Sequence, residues 1–208
     1  MPTTEQSDAV LQFWFPISLR NDREAITRQA EWWFRGGADS AILEQFPPLL
    51  EQAERGELDS WSNTSRSRLA LILVLDQFSR TVYRGSALAF AQDAKAVALT
   101  LEGIGVGHYA ALETPWQKTF FFLPLGHSEN LEHVDRAVAL AEELVEEVPQ
   151  EIRWWFEFSV SQARGHREVI SRFCRHPHRN VALGRPSTPE ELDYLARGEF
   201  VHTRSLPR

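Results

Sequence analysis

The chain has 208 residues, 43% of them hydrophobic, with 13 Phe, 7 Trp and a formal net charge of -7. Each aromatic ring can bury roughly 150–250 Å², so a large core is available without disulfides or metals. The negative charge excludes a general nucleic-acid binder, and a lone cysteine, Cys174, excludes an internal disulfide.

The longest continuous apolar run, Leu69 to Leu75, falls far short of the roughly 20 residues a membrane helix needs. The first fifteen residues begin polar and acidic, without the basic start, long apolar stretch and small-residue cleavage site of a signal peptide. A single domain over 1–208 in the cytoplasm is therefore expected, with no membrane and no nucleic acid among its partners. The oligomeric state is not legible.

Helix signals recur along the whole chain. Ser7 is placed to cap a first helix that Pro16 stops. Asn21 or Asp22 opens a second, with Ala25, Ile26, Gln29, Trp32 and Trp33 at helical spacing, and Gly36-Gly37 ends it. Asp39 is the expected cap of a third, which Pro47-Pro48 kinks or divides before Gly56 closes it. Ser65 to Phe78 is apolar on every side in its middle, the pattern of a central buried helix. An alanine-rich helix is expected over Ser86 to Leu101, then a loop through Gly103, Gly105 and Gly107.

Thr114-Pro115 reads as a cap with proline at the first helical position. Pro124 is expected to end that helix and Ser128 to cap the next, through Val148. A last long helix follows Pro149, with a possible break at Gly165, and Pro177 ends it. Thr188-Pro189-Glu190-Glu191 is a capping box for a short final helix. About eight to ten helices joined by short connections predict antiparallel helix pairs. No repeat of clean period is apparent, although diverged helical hairpins fit the pattern.

Three segments carry polar residues where the pattern is apolar. In the first, Asp76, Gln77 and Arg80 precede Arg84-Gly85. A buried carboxylate needs a partner, and Arg80 is four residues on, on the same helical face. A structural ion pair accounts for this segment as well as a site does. In the second, His127, Ser128 and Glu129 fall at an expected helix N-terminus, which attracts anions, and His127 with Glu129 makes a candidate acid/base pair. The plainer account is that Ser128 and Glu129 are good helix-start residues. Adding His133 gives a weak metal pattern of only two ligands on one helix.

In the third, Arg172 to Arg185 gathers His176, His178, Arg179 and Asn180 near His166. Arg175, Arg179 and Arg185 are placed either to clamp a carboxylate or phosphate, or to satisfy helix ends and surface acids. Cys174 reads as a buried structural thiol rather than a nucleophile. The pairs Trp32-Trp33 and Trp154-Trp155 read as core, with a solvent-exposed aromatic groove as the lesser alternative. No phosphate-binding glycine loop, dinucleotide fingerprint, zinc-type cysteine pair or nucleophile elbow is present, so no cofactor and no metal is expected.

These segments, together with Val10 to Phe15, Phe90 to Asp93 and Ser187 to Glu191, resemble a largely bacterial family known as the domain of unknown function number nine hundred and twenty-four. The resemblance covers nearly the whole chain. It implies an all-α, tetratricopeptide-like superhelix of antiparallel helical hairpins, and it supplies no activity. Its pattern has polar residues at Asp76, Gln77, Arg80, Arg84, His127, Ser128, Glu129, His178, Arg179 and Asn180. The chain departs from that pattern at Thr81, where Asn is more usual, and at Cys174 and His176, where Gly and an aromatic are. The last two are therefore left out of the expected site.

The polar residues suggest one shared cavity. As a binding protein, the chain would hold a small anionic ligand or acidic peptide on Asp76, Gln77, Arg80, Arg84, Ser128, His178, Arg179 and Asn180. As an enzyme on a small anionic substrate, it would use His127 and Glu129 for proton transfer. As a structural adaptor, these residues would only fasten helices.

Overall fold

The run from Ser65 to Val82 is apolar all round in its middle, and it forms the centre of the fold in a computed structural model that describes residues 4–16, 22–198 and 205–206. Thr64 caps α5 (Ser65–Leu73) by accepting from the Ser67 amide at 3.3 Å. A π-helical turn, Val74–Phe78, follows and leads into α6 (Ser79–Val82). In that turn the Ser79 amide donates to the Val74 carbonyl, five residues back. Leu69 to Leu75 and Phe78 are all buried. Each such side chain contributes about 1.5–3 kcal/mol relative to exposure.

Around this run lie α1 (Thr4–Trp14), α2 (Arg23–Phe34), α3 (Asp39–Gln45), α4 (Pro47–Glu54), α7 (Asp93–Gly105), α8 (Pro115–His127), α9 (Leu131–Glu147), α10 (Gln150–Phe173) and α11 (Pro189–Arg197). Short 3-10 turns cover Asp59–Asn63, Ala87–Phe90 and Pro177–Arg179. Among the described residues there is no strand, and none of the helices is long and apolar enough to cross a membrane. α5 packs against α1, α7 and α8, while α8, α9 and α10 pack in succession. Two residues join α9 to α10, which makes them an antiparallel hairpin. The all-α fold is as the sequence predicts, and these hairpins are consistent with a tetratricopeptide-like superhelix. One hydrophobic cluster runs from Val10 to Ala163.

Several helix ends differ from expectation. α1 begins at Thr4, a turn before Ser7, whose hydroxyl is buried and donates back to the Thr4 carbonyl at 2.9 Å. Asp22 caps α2 as expected, while Asn21 lies outside the described residues. Asp39 is the first residue of α3 rather than its cap, because its carboxylate is taken by Thr81 and Arg84. The segment Ser86 to Leu101 is two pieces, a 3-10 turn and α7. Gly103 and Gly105 lie inside α7 rather than in a loop. A Cβ at Gly103 would stand 2.5 Å from Phe121 Cζ and 2.6 Å from Arg68 Cδ. Glycine is thus what lets α7 meet α5 and α8 closely.

The largest correction concerns α8. Pro124 does not end it, and the helix runs on to His127. A proline there costs about 3 kcal/mol, but Phe120, Phe121, Phe122 and Leu125 around it are all buried. Thr100 Oγ1 supports the disturbed turn by donating to the Phe121 carbonyl at 2.9 Å. His127 consequently sits at a helix C-terminus, the end that favours positive rather than negative charge. Ser128 is not the cap of α9. Asn130 is, accepting from the Glu132 amide at 2.8 Å. α10 passes Gly165 unbroken and ends at Cys174, which has φ 55° and is exposed rather than buried.

Candidate functional site

The π turn carries Asp76 into the interior at 1% exposure. Its Oδ1 meets His127 Nδ1 at 2.7 Å and an Arg80 guanidinium nitrogen at 3.0 Å, and its Oδ2 accepts from the Gln77 amide. Burial alone would raise this carboxyl. The charges of Arg80 and His127, with hydrogen bonds from His127 and Gln77, outweigh burial and hold it well below the usual carboxylate range. Turns of the π type recur at functional sites because they re-aim a side chain within a helix.

Arg80 also reaches Asp93 at 3.0 Å, and Arg179 reaches the same carboxylate at 2.9 Å. A second Arg179 nitrogen donates to the His127 carbonyl at 2.8 Å. Both guanidinium groups lie over the Phe90 ring, at 4.6 Å for Arg179 and 5.8 Å for Arg80. Arg179 Nε is buried and has no partner among the described residues. Asp76, Gln77, Arg80, His127 and Arg179 therefore form one connected network, tying the central run to α7, α8 and the Pro177 turn.

This network borders a cavity of about 490 Å³. Gln77, Arg80, Arg84, His127, His166, His178 and Arg179 line one part of it, and Trp33, Trp116, Phe120, Leu123, Trp155 and Phe158 another. Arg84 stands at the exposed rim, paired with Asp39 at 2.7 Å. Leu206 also lines the cavity.

Two helices supply its long walls with the same spacing. α8 contributes Trp116, Thr119, Phe120, Leu123 and His127. α10 contributes Trp155, Phe158, Ser159, Gln162 and His166, each 39 positions after its counterpart. Offsets of three, four, seven and eleven keep one face of a helix. Each helix thus runs from a tryptophan to a histidine over about 16 Å. The two histidine rings meet edge-on at 6.1 Å.

The remaining sequence candidates belong to a different cluster. The Glu129 carboxylate takes Arg185 at 2.7 and 2.9 Å and the His176 amide at 2.8 Å. Burial pushes the Glu129 carboxyl up, but Arg185 and the His176 amide bring it below its ordinary value. Arg185 binds Asn180 Oδ1 at 3.0 Å, and Asn180 Nδ2 donates to Ser187 at 3.0 Å and Glu191 at 3.2 Å. Arg175 grips Glu191 at 2.6 and 2.7 Å. Ser128 bonds His133 at 2.9 Å, and neither lines the cavity.

The His-Ser-Glu and His-Arg-Asn triplets are thus each divided. His127, His178 and Arg179 face the cavity, whereas Glu129 and Asn180 clasp the C-terminal segment to the body. Arg175 and Arg185 are part of that clasp rather than of an anion clamp. His176 is buried against the ring of His166 at 5.5 Å and that of His178 at 5.4 Å, and its Nε2 has no partner among the described residues. Burial, then the charge of Arg179, pushes its pKa far down. No group of three or more His, Cys, Asp or Glu among the described residues is arranged to hold a metal ion.

The sequence pattern of a family described as bacterial protein of unknown function, DUF924, matches residues 10–199. The chain belongs to this family. A solved structure, that of the protein of unknown function ATU0120 from Agrobacterium tumefaciens, is 31% identical with a TM-score of 0.73. The match covers 95% of this chain and 100% of that one. No curated protein matches. These relationships bear out the family resemblance and the fold, and leave the activity to be argued from the site.

Sequence reasoning passed over Asp93, the carboxylate shared by two arginines, and the aromatic wall. Trp33, Trp116 and Trp155 are as buried as core residues yet border the cavity. The repeated tryptophan-to-histidine spacing was present in the sequence and is the signal that would have found Trp116 and Trp155, whereas Asp93 and Trp33 carry no such signal.

Proposed function

We propose that this DUF924 protein binds a small molecule with a negatively charged group in the cavity between α8 and α10. The observation that carries this reading is the donor set of the wall. Although the chain has a net charge of -7, Gln77, Arg80, Arg84, His127, His178 and Arg179 all line the cavity, and Arg179 is buried with its Nε lacking a partner among the described residues. A volume of about 490 Å³ suits a small molecule better than a folded acidic peptide. Of the residues expected to bind, Gln77, Arg80, Arg84, His178 and Arg179 serve this role, Asp76 acts behind His127, and Ser128 and Asn180 are fasteners. A cytoplasmic location belongs to the same proposal, on the grounds of the single cysteine.

A second reading, an enzyme, is favoured by the Asp76–His127 pair. A carboxylate on Nδ1 fixes the ring and leaves Nε2 as the nitrogen that exchanges a proton, the arrangement of an oriented general base. The proton-transfer role then falls to His127 with Asp76 behind it, because Glu129 is occupied by Arg185.

The test is a thermal-shift titration of the purified chain with acetate, octanoate, decanoate, glutarate and inorganic phosphate, repeated on Arg179→Gln. A saturating anion at a hundred times its dissociation constant adds about 2.7 kcal/mol of stability. Stabilisation lost in Arg179→Gln supports the reading. Saturable binding unchanged in that variant, or no binding to either protein, contradicts it.

A further inference from the structure

The anion-binding reading leaves most of the cavity wall unused. Trp116 and Phe120 on α8, and Trp155 and Phe158 on α10, have no partner chemistry in a small hydrophilic anion such as phosphate. Both helices grade from these rings to His127 and His166 over about 16 Å, and the two gradients point the same way because α8 and α10 flank the antiparallel α9. The cavity therefore has an aromatic end and a charged end, with Thr119, Ser159 and Gln162 between them.

The charged end also limits the size of the charge it can take. Arg80 and Arg179 already face Asp76 and Asp93, and these four charges cancel. What remains are directed donors rather than a large excess of positive charge. Arg179 Nε is buried without a partner among the described residues, and His127 lines the cavity beside Arg179, whose guanidinium binds the His127 carbonyl. Such a seat offers hydrogen-bond donors for one carboxylate, and the second charged group of a dianion would fall among the aromatic side chains beyond it.

From these two observations we infer that the ligand is an amphiphilic monocarboxylate. Its head lies at Arg80, Arg179 and His127, and its unbranched alkyl or acyl tail lies along α8 and α10 toward Trp116 and Trp155. This rests on the anion-binding reading and narrows it to one chemical class. The tail supplies most of the affinity, since burial of each methylene between aromatic faces tightens binding about fourfold. The head selects acid over alcohol, because the guanidinium groups of Arg80 and Arg179 are directional donors to a carboxylate.

The experiment is a titration of the full chain with acetate, hexanoate, octanoate, decanoate, decanol and glutarate, read by calorimetry and by tryptophan fluorescence. Trp33, Trp116 and Trp155 border the site and report a tail beside them. The expected result is an affinity that rises about fourfold per methylene through the series, with decanol at least tenfold weaker than decanoate. Phe158→Ala, a half-buried position, is expected to weaken decanoate about tenfold and leave acetate unchanged. Arg179→Gln is expected to remove the preference for decanoate over decanol, and Arg80→Gln repeats that test should the first variant fail to fold.

Acetate and glutarate binding as tightly as decanoate would overturn the amphiphile and leave the anion site standing. Decanol binding as tightly as decanoate, in wild type and variants alike, would overturn both. So would the absence of binding throughout the series.

Discussion

His127 Nδ1 stands 2.7 Å from Asp76 Oδ1, although 51 positions separate the two residues in the chain. The contact requires α8 to continue past Pro124 and the central run to open into a π turn. Two local departures from regular helix thus converge on one hydrogen bond at the cavity wall.

Removing the carboxylate would leave Arg80 and His127 without the partner they share. Asp76→Ala is expected to cost about 3–5 kcal/mol, the range for breaking a buried pair from one side. Urea unfolding measures it. A loss below 1 kcal/mol would show that the pair is not the fastening between α8 and the central run.

Gly103 and Gly105 lie two residues apart in α7 and predict opposite signs. Gly103→Ala forces a Cβ to within 2.5 Å of Phe121 and should destabilise by about 1–3 kcal/mol. Gly105→Ala meets nothing within 4 Å and should stabilise by about 0.5–1 kcal/mol through reduced chain entropy. Melting temperatures of the two variants decide this, and a stable Gly103→Ala would contradict the tight helix contact.

His176 gives the protein an acid sensitivity. Its folded-state pKa is pushed well below the ordinary 6.5 by burial and by Arg179. Below pH 6.5 the unfolded chain takes up a proton that the folded chain refuses, so stability falls with pH by up to about 1.4 kcal/mol per unit. Further down, the Glu191 carboxyl, lowered from 4.5 to about 2 by Arg175, adds a loss between those values, as unfolded carboxylates protonate before the clasped one does. His176→Phe should flatten the slope between pH 6.5 and 5. An unchanged slope would assign the sensitivity to other groups.

Glu129→Gln and His127→Gln separate the clasp from the cavity. The first breaks the bidentate Arg185 contact, so faster proteolysis of the segment after Phe173 is expected, with ligand affinity within about twofold of wild type. The second should leave proteolysis unchanged and weaken binding. Equal loss of binding in both would rejoin Glu129 to the site.

Much of the fold was legible because helix punctuation is local. Asp22, Thr114 and Thr188 cap where their residue types predict, and the apolar run at Leu69 to Leu75 is the buried centre. The misplaced ends were those decided by packing. Pro124 sits in a helix held from both sides, and Gly103 serves a close approach between helices that no local pattern reveals. The site was half legible for the same reason. Asp76, Arg80 and His127 stand out as polar residues in apolar surroundings, yet adjacency in sequence misled at Ser128 and Glu129, because a helix end at His127 sends consecutive side chains to different networks. Tryptophan in a wall and tryptophan in a core have the same sequence signature, and only the repeated spacing along α8 and α10 distinguishes them.

The most direct test of the cavity as a carboxylate site is a crystal structure of the full chain grown with ω-bromo-octanoate, with the bromine located by its anomalous signal. The account predicts a bromine between Trp116 and Trp155 and a carboxylate about 3 Å from the Arg179 guanidinium. Bromine elsewhere on the surface, with the cavity unoccupied at saturating ligand, would contradict it.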